Sequence, residues 1–554
     1  MLLNRVLLVG PTLAVVFVAQ PAFAQQTCES LTGLKLQHAT VTSATMMPEG
    51  PLPAPAGANA AANAQAPLMV PARCDVRGVI RPSPDSEIKF AVWLPPAAGW
   101  NGKYRQEGNG GWAGNLQLRS MVDPLKRGYV SASTDDGHES GGVSGASWAV
   151  GHPEKLIDFG HRAVHETSVQ AKAIVRAFYG KDPDLSYFFG CSDGGREALM
   201  EAQRYPQDFD GIIAAAPANN WSHLFTSFVW NEQALTKTPD SGIGPSKLPA
   251  IQKAVLAACD KLDGVKDGLL EDPRACKFDP AVLACKGVDK PDCLTPPQVT
   301  ALKQLYGGPR NPKTGEKIYP GMPPGAEAAA GTWNTWITPA DPTKSIQSNF
   351  GNTYYGQAVF EDPKWDFRKA DFDADVKFAD AKVGSHLSST SPDLRSYRAR
   401  GGKLIQYHGW GDAAISALNS IDYYEATRSF MTKFPDARGD TSKPIEDFYR
   451  LFMIPGMGHC GSGYGPNRFG NVVPEPSWDP NPTRNADSDV FAALERWVEG
   501  GIAPEQLIGR GVATDDPSKP LSRPLCLYPK VAQYKGSGDI NNAASFTCAL
   551  PATR

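Results

Sequence analysis

Residues 187–195 read Tyr-Phe-Phe-Gly-Cys-Ser-Asp-Gly-Gly, and they contain the pattern Gly-x-Ser-x-Gly at residues 190–194. The aromatic residues at the start of this stretch favour a β-strand. Residues 196–202, which follow it, are strong helix formers. A strand, a tight glycine turn and a helix together predict a nucleophile elbow with Ser192 at its tip. An ordinary glycine turn before a helix is the alternative, because the pattern alone is common by chance.

Strand and helix patterns alternate on both sides of this elbow. Strands are predicted near residues 88–96, 128–135, 209–217, 403–409 and 448–455. Residues 158–179 carry apolar side chains at helical spacing and predict a long helix that leads into the elbow strand. This alternation is typical of an α/β domain with a mostly parallel sheet.

The alternation is absent from two parts of the chain. Residues 25–70 begin with a short ordered piece around Cys28 and pass into a loop rich in Ala, Pro, Gly and Asn. Residues 219–391 are rich in Trp, Pro and Asp, and they show few strand patterns. We therefore expect one α/β domain, made of residues 25–218 and 392–554, with a lid inserted at 219–391 over the carboxyl ends of the strands, where ligands bind.

Residues 1–24 have the features of a signal peptide. Arg5 precedes an apolar run at residues 6–18, and Ala-Phe-Ala at residues 22–24 is a cleavage pattern. A membrane anchor is the alternative, but the run is short for a span. The mature protein is expected to be secreted or periplasmic.

Composition excludes some classes of partner. The formal net charge of −3 gives no basic footprint for nucleic acid. No later stretch approaches the roughly 18 apolar residues of a membrane span. A small-molecule substrate is expected, and the oligomeric state is left open.

Ten cysteines in an exported chain favour disulfides over metal or redox sites. Sequence neighbours suggest the pairs Cys259–Cys276, Cys285–Cys293 and Cys526–Cys548. The partners of Cys28, Cys74, Cys191 and Cys460 stay open on this reasoning.

A serine nucleophile needs a base and an orienting acid, which follow it in the order Ser, Asp or Glu, His in this class of elbow. Asp412 follows the predicted strand at 403–409, and His459 follows the strand at 448–455. No other histidine lies beyond Asp412. Ser192, Asp412 and His459 are therefore the predicted triad, whereas a turn aspartate and a loop histidine are the alternatives.

Two cysteines flank the predicted nucleophile and base. Cys191 precedes Ser192, and Cys460 follows His459. A disulfide between them requires Cα atoms about 4.4–6.8 Å apart, so it would clamp nucleophile and base together. Two free cysteines are the alternative.

The oxyanion of the reaction needs two backbone donors. One is predicted to be the amide of Asp193, the residue after the nucleophile. The second is expected from the glycine loop at residues 108–111, where glycine lets the backbone approach the substrate. Gly110 and Gly111 are both candidates, and we take Gly111.

Residues 259–272 form an acidic loop with closely spaced aspartates and turn glycines. Carboxylate and carbonyl oxygens are the ligands of a hard cation such as Ca²⁺. The spacing departs from the EF-hand pattern, and an acidic surface loop is the alternative.

The pairs Cys191-Ser192 and His459-Cys460, together with Asp412, resemble the Cys-Ser, Asp, His-Cys motif of the tannase and feruloyl esterase family. That family includes bacterial mono(2-hydroxyethyl) terephthalate hydrolases, and the resemblance covers essentially the whole mature chain. It implies an α/β-hydrolase fold with a large inserted lid domain, a structural calcium ion and five disulfides. The implied pairs are Cys28–Cys74, Cys191–Cys460, Cys259–Cys276, Cys285–Cys293 and Cys526–Cys548. The implied calcium ligands are the side chains of Asp260, Asp263 and Asp267 and the carbonyls of Val265 and Leu269.

The resemblance implies esters of aromatic acids as substrates. Ile415 is aliphatic where an aromatic clamp would favour a terephthalate ring, so phenolic esters such as ferulate or gallate are preferred. Arginines that would bind a terephthalate carboxylate are Arg368, Arg395 and Arg398. Aromatic side chains that would line the pocket, or pack the lid instead, are Tyr354, Tyr355, Phe360, Trp365 and Phe367. A terephthalate monoester hydrolase, a carboxypeptidase-like enzyme and a silent relative that binds aromatic ligands are the alternatives.

Overall fold

The computed structural model describes residues 26–53, 68–139, 145–434, 444–471 and 485–551. The predicted signal peptide lies outside the described residues. Within them, no helix combines the length and the hydropathy that a membrane span needs.

Nine strands form the main sheet. They are β1 (Ala39–Met47), β2 (Arg73–Ile80), β3 (Ile88–Leu94), β4 (Lys103–Glu107), β5 (Val130–Thr134), β6 (Leu185–Cys191), β7 (Gly211–Ala215), β8 (Lys403–Gly409) and β9 (Tyr449–Ile454). The order across the sheet is β1-β2-β3-β5-β4-β6-β7-β8-β9. Strands β1, β2, β3 and β5 pair antiparallel, and the pairs from β5 to β9 are parallel. The predicted, mostly parallel α/β sheet is confirmed.

Within the described ranges of the chain, eight helices have eight residues or more. They are α1 (Ala163–Tyr179), α2 (Asp193–Arg204), α3 (Trp221–Thr236), α4 (Leu248–Cys259), α5 (Pro296–Gly307), α6 (Ile346–Thr353), α7 (Ala417–Lys433) and α8 (Val490–Gly500). Shorter helices cover Val122–Lys126, Pro153–Ile157, Trp333–Trp336, Ala374–Ala379, Ser385–Leu387 and Arg395–Ala399. The predicted helix at 158–179 is a π-helical turn, Asp158–Arg162, followed by α1.

The side chains of the sheet alternate between its two faces, and helices pack on both faces, so that both are buried. In β6, Phe188 packs with residues of α1, α2 and α7 on one face. Its neighbours Tyr187 and Phe189 pack with α8 on the other face. Both layers therefore hold the elbow strand in place.

The chain between β7 and β8, residues 216–402, is described throughout and adds no strand to the sheet. It contains α3 to α6 and has aromatic cores of its own. The division into an α/β domain and an inserted lid at 219–391 remains a prediction.

Several strands were not among the predicted ones, including β2 and β4 of the main sheet. Strand β1 lies within residues 25–70, for which no strand was expected, and it pairs with β2 along the edge of the sheet. After β9, three antiparallel strands follow as β10 (Gly465–Arg468), β11 (Gln506–Val512) and β12 (Pro520–Cys526). Two-stranded ribbons join Val531–Tyr534 to Phe546–Ala549 and Gly50–Pro51 to Met69–Val70.

Candidate active site

Ser192 lies between β6 and α2 with φ 67° and ψ −118°. This strained backbone is tolerated because the neighbouring glycines permit close packing. A Cβ atom on Gly190 would lie 2.2 Å from the carbonyl oxygen of Gly194. A Cβ atom on Gly195 would lie 2.3 Å from the carbonyl oxygen of Ala215. The turn therefore has the geometry of a nucleophile elbow.

Asp412 and His459 meet at the carboxyl ends of β8 and β9. The Nδ1 atom of His459 lies 2.8 Å from Oδ2 of Asp412. The other oxygen, Oδ1, accepts the amides of Ala414 at 2.8 Å and Ile415 at 2.9 Å. This carboxylate can therefore hold the imidazole in one tautomer and orientation.

His408 is a site residue that the sequence analysis passed over, because it precedes Asp412. Its ring is fully buried, and its Nε2 atom lies 3.1 Å from both Oδ2 of Asp412 and the carbonyl oxygen of Ile415. Two acceptors at Nε2 mean that this nitrogen carries a proton, and Nδ1 lies 2.7 Å from the hydroxyl oxygen of Ser420. The only signal in the sequence was a histidine four residues before the aspartate.

The surroundings of Asp412 keep it ionised. Burial raises the pKa of its carboxyl group, but His459 and His408 lower it by charge and by hydrogen bonding. The net result is a pKa well below the usual range of an aspartate. A buried negative charge is thus available to stabilise an imidazolium at His459.

The Cys191–Cys460 disulfide joins the loop that carries Ser192 to the loop that carries His459. Its Cα atoms are 6.0 Å apart, and 269 residues separate the two cysteines in the chain. Because Cys191 precedes Ser192 and Cys460 follows His459, the bond fixes the distance between the two loops. The structure contains all five disulfides that the family resemblance implies.

The glycine loop at 108–111 packs directly on the elbow. Gly108 donates its amide to the carbonyl oxygen of Phe189 at 2.9 Å, and Gly194 donates to that of Asn109 at 2.9 Å. Gly111 has φ 61°, in the left-handed region that favours glycine. Among the described hydrogen bonds, none uses the amide of Asp193 or Gly111. Both amides are therefore available for a ligand.

The insertion packs on the loops that carry Asp412 and His459. The ring of Trp336 meets that of His459 edge to face, with centroids 5.1 Å apart. The side chain of Gln347 donates to the carbonyl oxygen of Ala413 at 2.8 Å. The insertion therefore forms one wall of the site.

The aromatic residues proposed for the pocket belong largely to the core of the insertion. Tyr354 and Tyr355 are buried, and their hydroxyl groups bond to Ser222 and Thr226 on α3. Tyr355 also stacks on Trp365, with ring centroids 5.0 Å apart. Packing within the insertion therefore accounts for the aromatic side chains of Tyr354 and Tyr355 without any substrate contact.

Two of the three arginines considered for a terephthalate carboxylate have carboxylate partners. Arg368 bonds to Asp366 at 2.8 Å, and Arg395 bonds to Asp393 at 2.7 Å. Arg398 lies 5.5 Å from the centre of the Phe448 ring. Arg368 and Arg395 are therefore already paired with acids two residues away in the chain.

The acidic loop after α4 folds around its own amides. Oδ1 of Asp260 accepts the amide of Gly268 at 3.0 Å, Asp263 accepts that of Val265, and Asp267 accepts that of Leu269. All five proposed calcium ligands thus belong to one compact loop with oxygen donors, the chemistry that Ca²⁺ requires.

The carboxylates of this loop are nevertheless not gathered at one point. Oδ2 of Asp267 forms an ion pair with Arg523 at 2.6 Å. Among described acidic residues, the set whose oxygens all lie within 4.8 Å of one another is a different one, Asp136, Asp193 and Glu197. The donor set fits calcium, but its side chains would have to move closer together to share one ion.

The family model described as tannase and feruloyl esterase matches residues 74–549. The chain belongs to this family. An uncharacterized esterase of Xanthomonas campestris is 42% identical over 541 residues, which cover 95% of this chain and 92% of that protein. Mono(2-hydroxyethyl) terephthalate hydrolase of Piscinibacter sakaiensis is 34% identical, covering 90% of this chain and 87% of its own.

A solved structure gives the same result. The crystal structure of feruloyl esterase B from Aspergillus oryzae superimposes with a TM-score of 0.80 at 28% identity, covering 94% of this chain and 99% of that one. The predicted fold class is confirmed, and this member of the tannase and feruloyl esterase family is a carboxylic ester hydrolase.

Proposed function

We propose that this family member is an exported serine esterase that hydrolyses esters of phenolic acids such as ferulic or gallic acid. The proposal depends on two connections that bring the loops of Ser192, His459 and Asp412 together: a hydrogen bond and a disulfide. His459 is bonded to Asp412, and a disulfide ties the residue after His459 to the residue before Ser192. This is the arrangement that a serine, its base and the orienting acid require.

In the proposed first step, Ser192 Oγ attacks the ester carbonyl carbon while His459 accepts the hydroxyl proton. The negative charge that forms on the carbonyl oxygen is stabilised by the amides of Asp193 and Gly111. His459 then protonates the departing alcohol, and an acyl-enzyme remains on Ser192. In the second step, His459 takes a proton from water, whose oxygen attacks the acyl carbon. The bond between the acyl carbon and Ser192 Oγ then breaks, His459 returns the proton to Oγ, and the aromatic acid leaves.

Export is supported by the five disulfides, which form and persist in oxidising compartments. The signal-peptide pattern of residues 1–24 adds to this support. The proposal leaves the choice between periplasm and medium open. Amino-terminal sequencing of the exported protein would be expected to begin at Gln25, and a retained leader would contradict it.

The substrate is the least constrained part of the proposal. Feruloyl esterase B resembles the chain in fold over nearly its whole length, while mono(2-hydroxyethyl) terephthalate hydrolase is the second candidate because of its 34% identity. The prior pairing of Arg368 and Arg395 with aspartates favours an uncharged phenolic ester.

The test compares kcat/KM on methyl ferulate, methyl gallate and mono(2-hydroxyethyl) terephthalate, with Ser192→Ala as the blank. We expect the phenolic esters to be preferred and the blank to be inactive. A preference for the terephthalate monoester would transfer the assignment to the second candidate. Ligand binding without hydrolysis in the wild-type protein would indicate a silent relative.

We also propose that Asp260, Asp263, Asp267 and the carbonyls of Val265 and Leu269 hold a structural calcium ion. The support is the donor chemistry of the loop, and no catalytic step depends on the ion. Chelation of purified protein should lower Tm, and added Ca²⁺ should restore it. An unchanged Tm together with no bound calcium by elemental analysis would overturn this part of the proposal.

A further inference from the structure

Three carboxyl groups that the proposed reaction does not use lie beneath the glycine loop. Asp136, Asp193 and Glu197 are each no more than 2% exposed. One oxygen from each lies within 4.8 Å of the others. Asp193 bonds to Arg196, with 2.6 Å between Oδ1 and Nε. That leaves Asp136 and Glu197 facing each other without a cation of their own.

Three of the four carboxylate oxygens in this pair have no donor among the described hydrogen bonds. These are both oxygens of Asp136 and Oε1 of Glu197. Two ionised carboxylates in a dry contact repel each other, whereas one proton between them makes a strong O–H···O hydrogen bond. Burial, followed by the charges of Glu197 and Asp193, raises the pKa of Asp136 well above its usual range, and Arg196 opposes this.

Glu197 bonds to the glycine loop through its other oxygen. Oε2 accepts the amide of Asn109 at 2.9 Å. A Cβ atom on Gly108 would lie only 2.7 Å from that oxygen, so glycine is needed for the approach. The Asn109 side chain donates to the carbonyl oxygen of Thr134 at 3.1 Å. Asn109 is thus held from its amide, its carbonyl and its side chain.

The far end of the glycine loop rests on the segment that contains Asp136. Nε2 of His138 lies 2.6 Å from the carbonyl oxygen of Trp112, the residue after Gly111. Burial lowers the pKa of His138 to about 4, so the ring is neutral and donates from Nε2. The amide of Gly114 donates to the carbonyl oxygen of Asp135 at 3.2 Å. Both ends of the loop are therefore fixed by the same buried layer.

We propose that Asp136 and Glu197 share one proton and act as positioning residues for the oxyanion site. The protonated member of the pair bonds to the other, and Glu197 in turn holds the amide of Asn109. This fixes the backbone of the glycine loop so that the Gly111 amide faces the developing oxyanion. The inference rests on the proposed function of Ser192 and Gly111.

The charges around the pair are consistent with a single shared proton. From α2 it faces Asp193 and Arg196, whose opposite charges offset each other. Glu201 on the same helix interacts with Glu197, and burial together with Asp208 raises the pKa of Glu201 well above its usual range. His138, two residues after Asp136, is neutral. One proton leaves one negative charge on the pair, and that charge accepts the Asn109 amide.

The test measures kcat and KM for p-nitrophenyl acetate, an activated ester that needs no lid contact. For Asp136→Ala and Glu197→Ala we expect kcat to fall about 10- to 100-fold with KM changed less than about twofold, because a misplaced oxyanion donor acts on the transition state. Asp136→Asn should recover most of the loss, because its amide group donates to Glu197 as the shared proton does.

Glu201→Gln is the matched control. Glu201 lies one turn further along α2, is 1% exposed and faces another carboxylate, that of Asp208. No hydrogen bond described for it reaches the glycine loop. The variant should change Tm while leaving kcat within about twofold of wild type.

Several results would overturn the positioning role. These are a wild-type kcat in folded Asp136→Ala, an Asp136→Asn variant as impaired as Asp136→Ala, or a stoichiometric divalent cation that Asp136→Asn loses. If the alanine variants do not fold, Asp136→Asn carries the test, because it should extend activity to higher pH than wild type. An unchanged alkaline limit would then overturn the proposal.

Failure of the proposed function gives a different pattern. Hydrolysis of p-nitrophenyl acetate that survives in Ser192→Ala would overturn the triad and the positioning role with it. Hydrolysis that requires Ser192 but is absent on every aromatic ester would overturn only the substrate, and the comparison of Asp136 and Glu197 variants would stand.

Discussion

Asp412 and Asp136 are both buried carboxyl groups, and each supports a different part of the proposed site. Asp412 bonds to His459 and is 2% exposed, whereas Asp136 lies beneath the glycine loop and is fully buried. Two backbone amides and two histidines donate to Asp412, and its pKa is lowered. No described donor reaches Asp136, another carboxylate faces it, and its pKa is raised.

The difference shows that burial alone does not determine the charge of an acid. Desolvation raises the pKa of both groups, and the number of donors decides whether the ionised form survives. One site therefore needs a charge to stabilise an imidazolium, and the other needs a proton to hold two acids together. The predictions below test this contrast.

The largest effect is expected at Asp412. Asp412→Asn should lower kcat about 10⁴-fold, because an amide favours the wrong tautomer of His459. Steady-state kinetics on p-nitrophenyl acetate measure this loss. Asp136→Asn is the counterpart and should lose far less, since a proton donor is what that position supplies. Equal losses in the two variants would remove the contrast.

The second-largest effect is expected from the Cys191–Cys460 disulfide, which joins the loops that carry Ser192 and His459. Replacing Cys191 and Cys460 with serine should lower the free energy of unfolding by about 2–5 kcal/mol. It should also lower kcat about 100-fold, because small displacements of reacting groups are costly. Urea denaturation and steady-state kinetics measure the two effects.

The control for that variant is the pair Cys526→Ser and Cys548→Ser. This disulfide links the carboxyl-terminal strands and does not adjoin a proposed catalytic residue. We expect lower stability with kcat close to wild type. A matching loss of kcat in the control would mean that the effect at Cys191 and Cys460 is one of general stability.

A smaller effect is expected at His408. His408→Leu removes one donor from Asp412, so the pKa of that carboxyl should rise and kcat should fall about tenfold, as for a lost hydrogen bond to a charged group. KM should stay constant, and a neutral donor in His408→Asn should recover part of the rate. A change confined to KM would contradict the role as a donor to Asp412.

The smallest effect concerns the pH dependence of stability. Asp136 has a raised pKa in the folded state, so its contribution falls as pH rises above the unfolded value of about 4. Asp412 has a lowered pKa, so its contribution is present above pH of about 4 and is lost in acid. From pH 5 to pH 8, wild type should therefore lose stability relative to Asp136→Asn. Urea denaturation of both proteins at each pH measures this change in the free energy of unfolding. A difference independent of pH would contradict the raised pKa.

Several features were predictable because they depend on local patterns. The glycines of the elbow, the helix formers after it and the alternation of strands are readable within short windows. The order of Ser192, Asp412 and His459, each after a strand, predicted a triad. The structure brings two of these residues, Asp412 and His459, into contact.

Other features had no local signal. The residues of β1 read Ala-Thr-Val-Thr-Ser-Ala-Thr-Met-Met, without a clear apolar alternation, and pairing with β2 determines that this segment is a strand. The three strands after β9 were also missed, because glycines in β11 and prolines in β12 weaken the strand pattern and pairing decides the outcome.

The sequence by itself determined the parallel α/β architecture, the elbow at Ser192 and the candidate residues after each strand, because strand periodicity, glycine turns and residue order are properties of neighbouring residues. Only the tertiary structure decided that His408 would share Asp412 with His459, and that Asp136 would face Glu197 beneath the glycine loop. Asp136 and Glu197 lie 61 positions apart in the sequence. The charge of each buried acid depends on which donors the fold brings to it.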